Sequence, residues 1–210
     1  YRAKELGRGR LEVYDDDLRR QVAERVALSD DLNRAIADDA IVLHYQPSVS
    51  LRTGQVTAME ALARWNHPTR GPLPPKEFIS LAEQTGLIDQ LGPLLLRNAC
   101  LCARSWQAEV AQAPRLHVNI CGRQLADDQF PTVVRNILAE TGLAPHRLCL
   151  EIAESDLQGD TEVAVAALQG VGAAHAHEHV VAVLAAKQIA AIVALQDIAI
   201  AGSGKVLDAF

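Results

Sequence analysis

Strand-like and helix-like segments alternate along the middle of this chain, and that alternation constrains its fold more than any other feature. Two strand-like runs at 41–49 and 55–63, joined by the turn Leu51-Arg-Thr-Gly54, predict a β-hairpin. Strands that alternate with helices run parallel in one sheet, so the sequence predicts an α/β fold, and a barrel in particular. The expected helices cover about 75–86, 88–110, 131–141 and 161–168, and the expected strands 116–120 and 147–153.

The two ends of the chain follow other patterns. Asp15-Asp-Asp17 begins a charged helix that runs to about Ile36, polar on most faces, and we interpret residues 19–38 as a linker helix. Ala, Val and Ile dominate beyond Gly170, and turn residues are scarce there. That stretch has room for a strand, a helix and a second strand, but the pattern does not define their boundaries.

Composition narrows the possible functions. The net charge of −6 disfavours a non-specific nucleic-acid binder, which is normally basic. The sequence has no apolar run long enough to cross a membrane and does not open on a signal peptide, so we expect a cytoplasmic protein without a membrane segment. The cysteines show no metal-type pair, and we expect them to be reduced and mostly buried. They are Cys100, Cys102, Cys121 and Cys149.

Five motifs occur in a fixed order between about residues 40 and 157, and together they resemble the EAL domain family. The resemblance predicts a barrel similar to a TIM barrel with one antiparallel strand. Residues 39–210 are identified as an incomplete, degenerate member of this family. The motifs are Tyr45-Gln46-Pro47, the run from Glu60 to Pro68, the helix from Pro75 to Ile88, Asn119-Ile-Cys-Gly-Arg-Gln-Leu125, and Leu150-Glu-Ile-Ala-Glu-Ser155.

The start of the chain resembles a second family. Tyr1-Arg-Ala-Lys4 and Gly7-Arg-Gly-Arg10 are similar to the last helix and strand of a GGDEF, or diguanylate cyclase, domain. We therefore interpret residues 1–18 as a remnant of such a domain. An attached GGDEF domain or a homodimer is the expected protein partner.

The EAL resemblance implies hydrolysis of cyclic di-GMP to linear pGpG with Mg²⁺ or Mn²⁺. By this resemblance Glu60, Asn119 and Glu151 are metal ligands, and carboxylate and amide oxygens suit such ions. The resemblance also assigns roles around the nucleotide and a nearby loop. Gln46, Leu62 and Arg64 would contact cyclic di-GMP, and Glu154 would support a loop.

The chain departs from the family pattern after Gly170. The family has two adjacent aspartates followed by Phe-Gly-Thr-Gly, and here Glu178 and His179 are placed at the aspartate positions by spacing. By the resemblance, Ala199 is the counterpart of a family lysine that helps orient the attacking water, and the family's final catalytic glutamate is expected beyond Phe210. Fewer residues follow Leu32 than the roughly 250 of a closed barrel, so we expect marginal stability or association through an open side.

Several interpretations follow from these departures. The first is a degenerate phosphodiesterase whose activity is weak or lost, and the second is a non-catalytic module that binds cyclic di-GMP. The third is an active enzyme that uses Glu178 and His179 as metal ligands. The fourth is an interaction scaffold or a gene remnant without a ligand. In a strand, His175, His177 and His179 would share one face and could bind Zn²⁺, Ni²⁺ or Cu²⁺, although a poorly constrained segment is the preferred interpretation. A frameshift in an ancestral gene would explain the altered tail.

Overall fold

Seven strands form one mixed sheet in the part of the chain that the structure describes. The structure is a computed structural model that describes residues 16–110, 113–153, 181–186 and 189–193. The strands lie in the order β1-β2-β4-β5-β6-β7, and β3 pairs with the carboxyl end of β2, at Trp65–His67. They are β1 (Ile41–Val49), β2 (Val56–His67), β3 (Gly71–Leu73), β4 (Arg115–Ile120), β5 (Leu148–Ala153), β6 (Val181–Ala186) and β7 (Ile189–Val193).

Five helices accompany the sheet within the described residues. The ends of two of them confirm the sequence prediction, because Gly86 and Gly142 adopt the left-handed conformation (φ 81° and 68°) in which glycine ends helices. The helices are α1 (Asp16–Ala37), α2 (Pro75–Thr85), α3 (Ile88–Glu109), α4 (Gly122–Leu125) and α5 (Phe130–Thr141), and a 3₁₀ turn covers Pro145–Arg147.

The sheet confirms the predicted α/β class. Strand β1 pairs antiparallel with β2, as the predicted hairpin requires. The next pairs across the sheet, β2 with β4, β4 with β5 and β5 with β6, are all parallel. Beyond Gly170 the described residues form two strands, and β7 runs antiparallel to β6. Only residues 187 and 188 separate these strands, and a parallel connection needs a dozen or more.

The main core lies between the sheet and helices α3 and α5. Every second residue of β4 and of β5 is buried there, as expected for strands that turn one face to a helical layer. These residues are Leu116, Val118, Ile120, Leu148, Leu150 and Ile152, and they pack against Leu96, Ala99 and Cys100 of α3 and Val134, Ile137 and Leu138 of α5.

A second core attaches α1 to the rest of the domain, although most of the helix surface is exposed, as its polar sequence predicts. The last three turns of α1 bury an apolar stripe against the hairpin and α2. Trp65 lies at the centre of this core, with its ring 5.9 Å from that of Phe78 in an edge-to-face arrangement. The stripe consists of Leu28, Leu32, Ala35 and Ile36.

Helix α3 approaches α4 closely at Gly92. A Cβ at Gly92 would lie 2.3 Å from Nε2 of Gln124. The Gln124 side chain is buried, and its Oε1 accepts a hydrogen bond from the backbone N–H of Cys121 at 3.1 Å. Gly92 therefore makes room for the side chain that caps α4.

Gly92→Ala is expected to lower the free energy of unfolding by about 1–3 kcal/mol, because Gln124 must move and leave the Cys121 N–H without its buried acceptor. Urea unfolding followed by circular dichroism would measure this. Gln90→Ala, an exposed change on the same helix, is the control and should have little effect. Equal stability of the two variants would contradict the packing described here.

The terminal predictions fall outside the described residues. They concern the GGDEF-like residues 1–10, the helix expected at 161–168, the three-histidine segment and the counterpart of the lysine strand at Asp197–Ser203. None of the helices in the described residues is long and apolar enough to span a bilayer.

Candidate functional site

The strands present a second row of side chains on the face opposite the packed helices, called the site face below. Alternation along β4 and β5 places His117, Asn119, Cys149 and Glu151 on this face, because their neighbours are buried beneath α3 and α5. Glu60 joins them from β2, where it stands in register with His117. Polar groups from three adjacent parallel strands therefore meet on one surface.

The three predicted metal ligands lie together on the site face. Nδ2 of Asn119 donates a hydrogen bond to Oε1 of Glu60 at 2.7 Å. Asn119 and Glu151 are register partners on β4 and β5. The geometry thus brings two carboxylates and one amide from separate strands onto one surface, although they are up to 91 residues apart in sequence.

Glu151 also contacts a residue that the sequence prediction missed. Its Oε1 lies 2.5 Å from Nδ1 of His117, and the side chains are 18% and 21% exposed, respectively. The two atoms lie within hydrogen-bond distance, and an imidazole that carries its proton on Nδ1 can donate to the carboxylate. The available signal was that His117 lies two residues before Asn119 and so shares its face in a strand.

Cys149 lies beside this pair and is almost fully buried. Burial raises the pKa of its thiol to about 12, the charge of Glu151 adds to the rise, and Arg115 opposes it. The expectation of buried thiols is confirmed for Cys100, Cys121 and Cys149, whereas Cys102 is partly exposed.

A cavity of about 470 Å³ opens next to Asn119. The backbone pairing of β2 with β4 ends at Ala61 and Val118, and the cavity extends from there between β2, β4 and helices α2 and α3. Leu62 and Arg64 line it, so two of the three predicted nucleotide contacts border the same space as Asn119. Apolar side chains form most of the remaining wall.

The other predicted contacts are placed differently. Gln46 is exposed on β1 in register with Glu60, so it shares the site face, but it does not line the cavity. Nη1 of Arg64 donates to the carbonyl oxygen of Ala63 at 2.9 Å. Glu154, Glu178 and His179 lie outside the described residues, and strand β6 begins at Val181, just after the last two.

The oxygen donors fit a hard divalent cation. Mg²⁺ and Mn²⁺ prefer carboxylate and carbonyl oxygens. The hydrogen bond from Asn119 to Glu60 uses the amide nitrogen, which turns the amide oxygen toward the other side of the side chain. Glu60, Asn119 and Glu151 can therefore offer oxygen ligands from neighbouring strands, and this row is called the oxygen row below.

One motif residue has a structural role. Nε2 of His67 lies 3.0 Å from Oδ2 of Asp31 on α1, and its Nδ1 accepts from the backbone N–H groups of Thr69 and Arg70 at 3.2 and 3.3 Å. The hydrogen bond from His67 is the main reason that the pKa of Asp31 is below its usual value of 3.8. His67 thus joins the hairpin to α1 at a distance from the oxygen row.

Comparisons with known proteins agree on one family. The EAL domain model matches residues 29–179. The chain is 44% identical over 165 residues to an uncharacterized signaling protein of Caulobacter vibrioides, covering 79% of this chain and 20% of that protein. It is 37% identical over 169 residues to the cyclic di-GMP phosphodiesterase PdeR of Escherichia coli, covering 80% of this chain and 25% of PdeR. The chain therefore spans about a fifth to a quarter of the length of these relatives.

A solved structure gives the same result for the fold. The PaMucR phosphodiesterase in its c-di-GMP complex superposes with a TM-score of 0.66 and 36% identity, covering 69% of this chain and 59% of that one. The match supports the mixed α/β sheet and the barrel-like architecture that the motifs predict. The family model covers well over half of the chain, and this protein belongs to the EAL domain family.

Proposed function

We propose that this chain is the cyclic di-GMP-binding EAL domain of a signalling protein, and that its hydrolysis of the nucleotide to pGpG is weak or lost. The observation that carries the proposal is the contact between the oxygen row and the cavity: Asn119 donates a hydrogen bond to Glu60 and also lines the space bordered by Leu62 and Arg64. PdeR is named as a cyclic di-GMP phosphodiesterase, and PaMucR is solved with c-di-GMP, which supports this choice of ligand.

The oxygen row would hold Mg²⁺ or Mn²⁺. Such an ion, when bound, neutralises charge on a phosphodiester and activates water for attack at phosphorus. Glu60 and Glu151 supply the negative charge that retains a divalent cation, and the hydrogen bond to Glu60 fixes the orientation of the Asn119 amide.

Residues of the hairpin would position the nucleotide. Arg64 has a planar guanidinium that can bind a phosphate through two parallel hydrogen bonds, and its contact with Ala63 O holds the side chain along β2. Leu62 supplies apolar contact in the cavity, and Gln46 approaches the same face from β1. These roles divide recognition between charge, shape and hydrogen bonding.

The proposed loss of activity rests on β6. Residues at the carboxyl ends of parallel strands build the site in barrels of this kind. Strand β6 runs parallel to β5, with Val183 in register with Glu151 and Ala185 in register with Ala153, and neither residue has a carboxylate with which to extend the oxygen row. Glu178 and His179 precede β6 in sequence, which favours the degenerate interpretation over an enzyme that uses them as ligands.

We expect little or no conversion of cyclic di-GMP to pGpG with Mn²⁺, because removing groups that act as one unit tends to abolish catalysis. Chromatography of the products after prolonged incubation is the measurement, with an active EAL phosphodiesterase as the positive control. Multiple turnovers by the purified chain would contradict the loss of activity while leaving the binding proposal intact.

Arg64→Ala is expected to weaken binding of cyclic di-GMP by roughly 10- to 100-fold, since a charge-assisted hydrogen bond is worth about 1.5–3 kcal/mol. Calorimetry with Ca²⁺ in the buffer would measure this. Arg104→Ala serves as the matched control. Arg104 is an exposed arginine on α3 and does not line the cavity. Unchanged affinity in Arg64→Ala would overturn the role assigned to Arg64.

The protein context is a further part of the proposal. Residues 1–18 would be the end of a GGDEF domain, and α1 would transmit its state to the EAL domain in the cytoplasm. The docking of α1 through Leu28, Leu32 and His67 supports such coupling, because a displaced α1 would expose an apolar stripe. A homodimer is the alternative partner.

A further inference from the structure

Three chemically different ligand groups converge on the site face below the oxygen row. Nδ1 of His117, Sγ of Cys149 and a carboxylate oxygen of Glu151 all lie within 4.8 Å of one another. His117 and Cys149 are register partners on β4 and β5, and Glu151 is the next residue on the same face of β5. Two adjacent strands of fixed register therefore hold the cluster, and no loop is needed to assemble it.

The donor set differs from the oxygen row in the ions that it would select. Imidazole nitrogen, thiolate sulfur and carboxylate oxygen are the three ligand types of protein zinc sites. Magnesium prefers all-oxygen surroundings and binds thiolate poorly. The two neighbouring groups would thus take different ions, although Glu151 belongs to both.

We propose that His117, Cys149 and Glu151 form a binding site for a thiophilic divalent cation of the Zn²⁺ type, which shares Glu151 with the proposed site for Mg²⁺ or Mn²⁺.

The spacing allows a tetrahedral ion with small movements. Ligands around tetrahedral zinc are roughly 3.3–3.6 Å apart, given Zn–N and Zn–O distances of about 2.0 Å and Zn–S of about 2.3 Å. His117 and Glu151, now 2.5 Å apart, would separate by about 1 Å as the ion replaces the shared proton. Cys149 would lose its thiol proton to the buffer on binding.

The surroundings favour an enclosed site with one open side. Cys149 is 1% exposed, and β6 places Val181 opposite Cys149 and Val183 opposite Glu151 in the sheet. His117 and Glu151 are each about one-fifth exposed, which gives an ion a route from solvent. Three protein ligands leave a fourth position for water.

Sharing Glu151 would make the two sites compete. A Zn²⁺ ion held by His117 and Cys149 would draw the Glu151 carboxylate away from the oxygen row and weaken binding of cyclic di-GMP. This consequence rests on the proposed function, whereas occupation of the thiophilic site does not. The cluster would then act as an inhibitory site for excess zinc.

Cobalt titration of the reduced chain, without nucleotide, tests the site. Co²⁺ substitutes for Zn²⁺ and gives a near-ultraviolet thiolate-to-metal absorption band only when sulfur is a ligand. We expect such a band at one ion per chain, its displacement by Zn²⁺, and its loss in Cys149→Ala. A site made of His175, His177 and His179 would bind Co²⁺ without this band.

Cys100→Ala is the matched control, since Cys100 is equally buried but lies on α3. The cobalt band should remain in this variant. His117→Ala and Glu151→Gln retain Cys149 and give a second route if Cys149→Ala fails to fold, and each should weaken Co²⁺ binding at least about tenfold. A folded chain without the band, or a band that survives in Cys149→Ala or is unchanged in both other variants, would overturn the proposal.

A final arm separates this proposal from the proposed function. Saturating Zn²⁺ should weaken binding of cyclic di-GMP in the unaltered chain by about tenfold or more, but not in Cys149→Ala. If the chain shows the cobalt band and no binding of cyclic di-GMP, the proposed function fails and the thiophilic site stands.

Discussion

Glu60→Gln is expected to weaken cation-dependent binding of cyclic di-GMP on the order of 100-fold, or about 2.7 kcal/mol. The substitution removes one of the two carboxylates that would retain a divalent ion. It keeps the shape of the side chain and an oxygen that can accept the hydrogen bond from Asn119. The expected loss therefore comes from charge, since packing and the contact with Asn119 are preserved.

Glu140→Gln provides the matched control for the same change of charge. Glu140 is half exposed on α5, where it pairs with Arg97 at 2.6 Å, and breaking an exposed pair costs little. Calorimetry at saturating Ca²⁺ should show the full loss for Glu60→Gln and none for Glu140→Gln. Equal binding by both variants would remove Glu60 from the metal site.

His67→Ala is expected to lower the free energy of unfolding by about 2–4 kcal/mol. The change empties a buried position beside Trp65, whose ring centroid lies 5.0 Å from that of His67. It also removes the partner of Asp31 and the acceptor for the Thr69 and Arg70 N–H groups. His146→Ala, an exposed histidine in the 3₁₀ turn, is the control in a urea unfolding series.

The stability contributed by the contact between His67 and Asp31 depends on pH, and the sign of this dependence follows from the pKa of Asp31. The pKa of Asp31 is lower in the folded chain than its usual 3.8, so its ionised form favours the fold. This stabilisation is present above about pH 4 and disappears as the pH falls through the lowered pKa. Unfolding curves between pH 2 and pH 6 should show a smaller loss toward acid in His67→Ala than in the unaltered chain, and parallel curves would contradict the assignment.

Local patterns predicted most of the described fold. The hairpin, α2, α3, α5, β4 and β5 each carry a periodicity together with a turn or cap residue, such as Gly86 or Gly142. Strand β3 and helix α4 were missed, because three or four residues are too few to show a period. The hairpin of β6 and β7 was missed because its connection, residues 187 and 188, lacks the glycine that usually marks such turns.

The candidate site divides in a similar way. Glu60, Asn119 and Glu151 were predicted through motifs, and the sheet places them on one face. The contact of His117 with Glu151 and that of His67 with Asp31 join residues 34 and 36 positions apart. Such contacts depend on strand register and helix docking, which a single sequence does not specify.

Binding of cyclic di-GMP should depend on a divalent cation, and calorimetry of the unaltered chain measures this dependence. The nucleotide would be titrated into the folded chain once with Ca²⁺, which occupies oxygen sites, and once with EDTA. We expect micromolar or tighter binding with Ca²⁺ and binding at least about tenfold weaker without it. A folded chain that gives no heat with Ca²⁺, or that binds equally well in EDTA, would rule out cation-dependent binding of cyclic di-GMP.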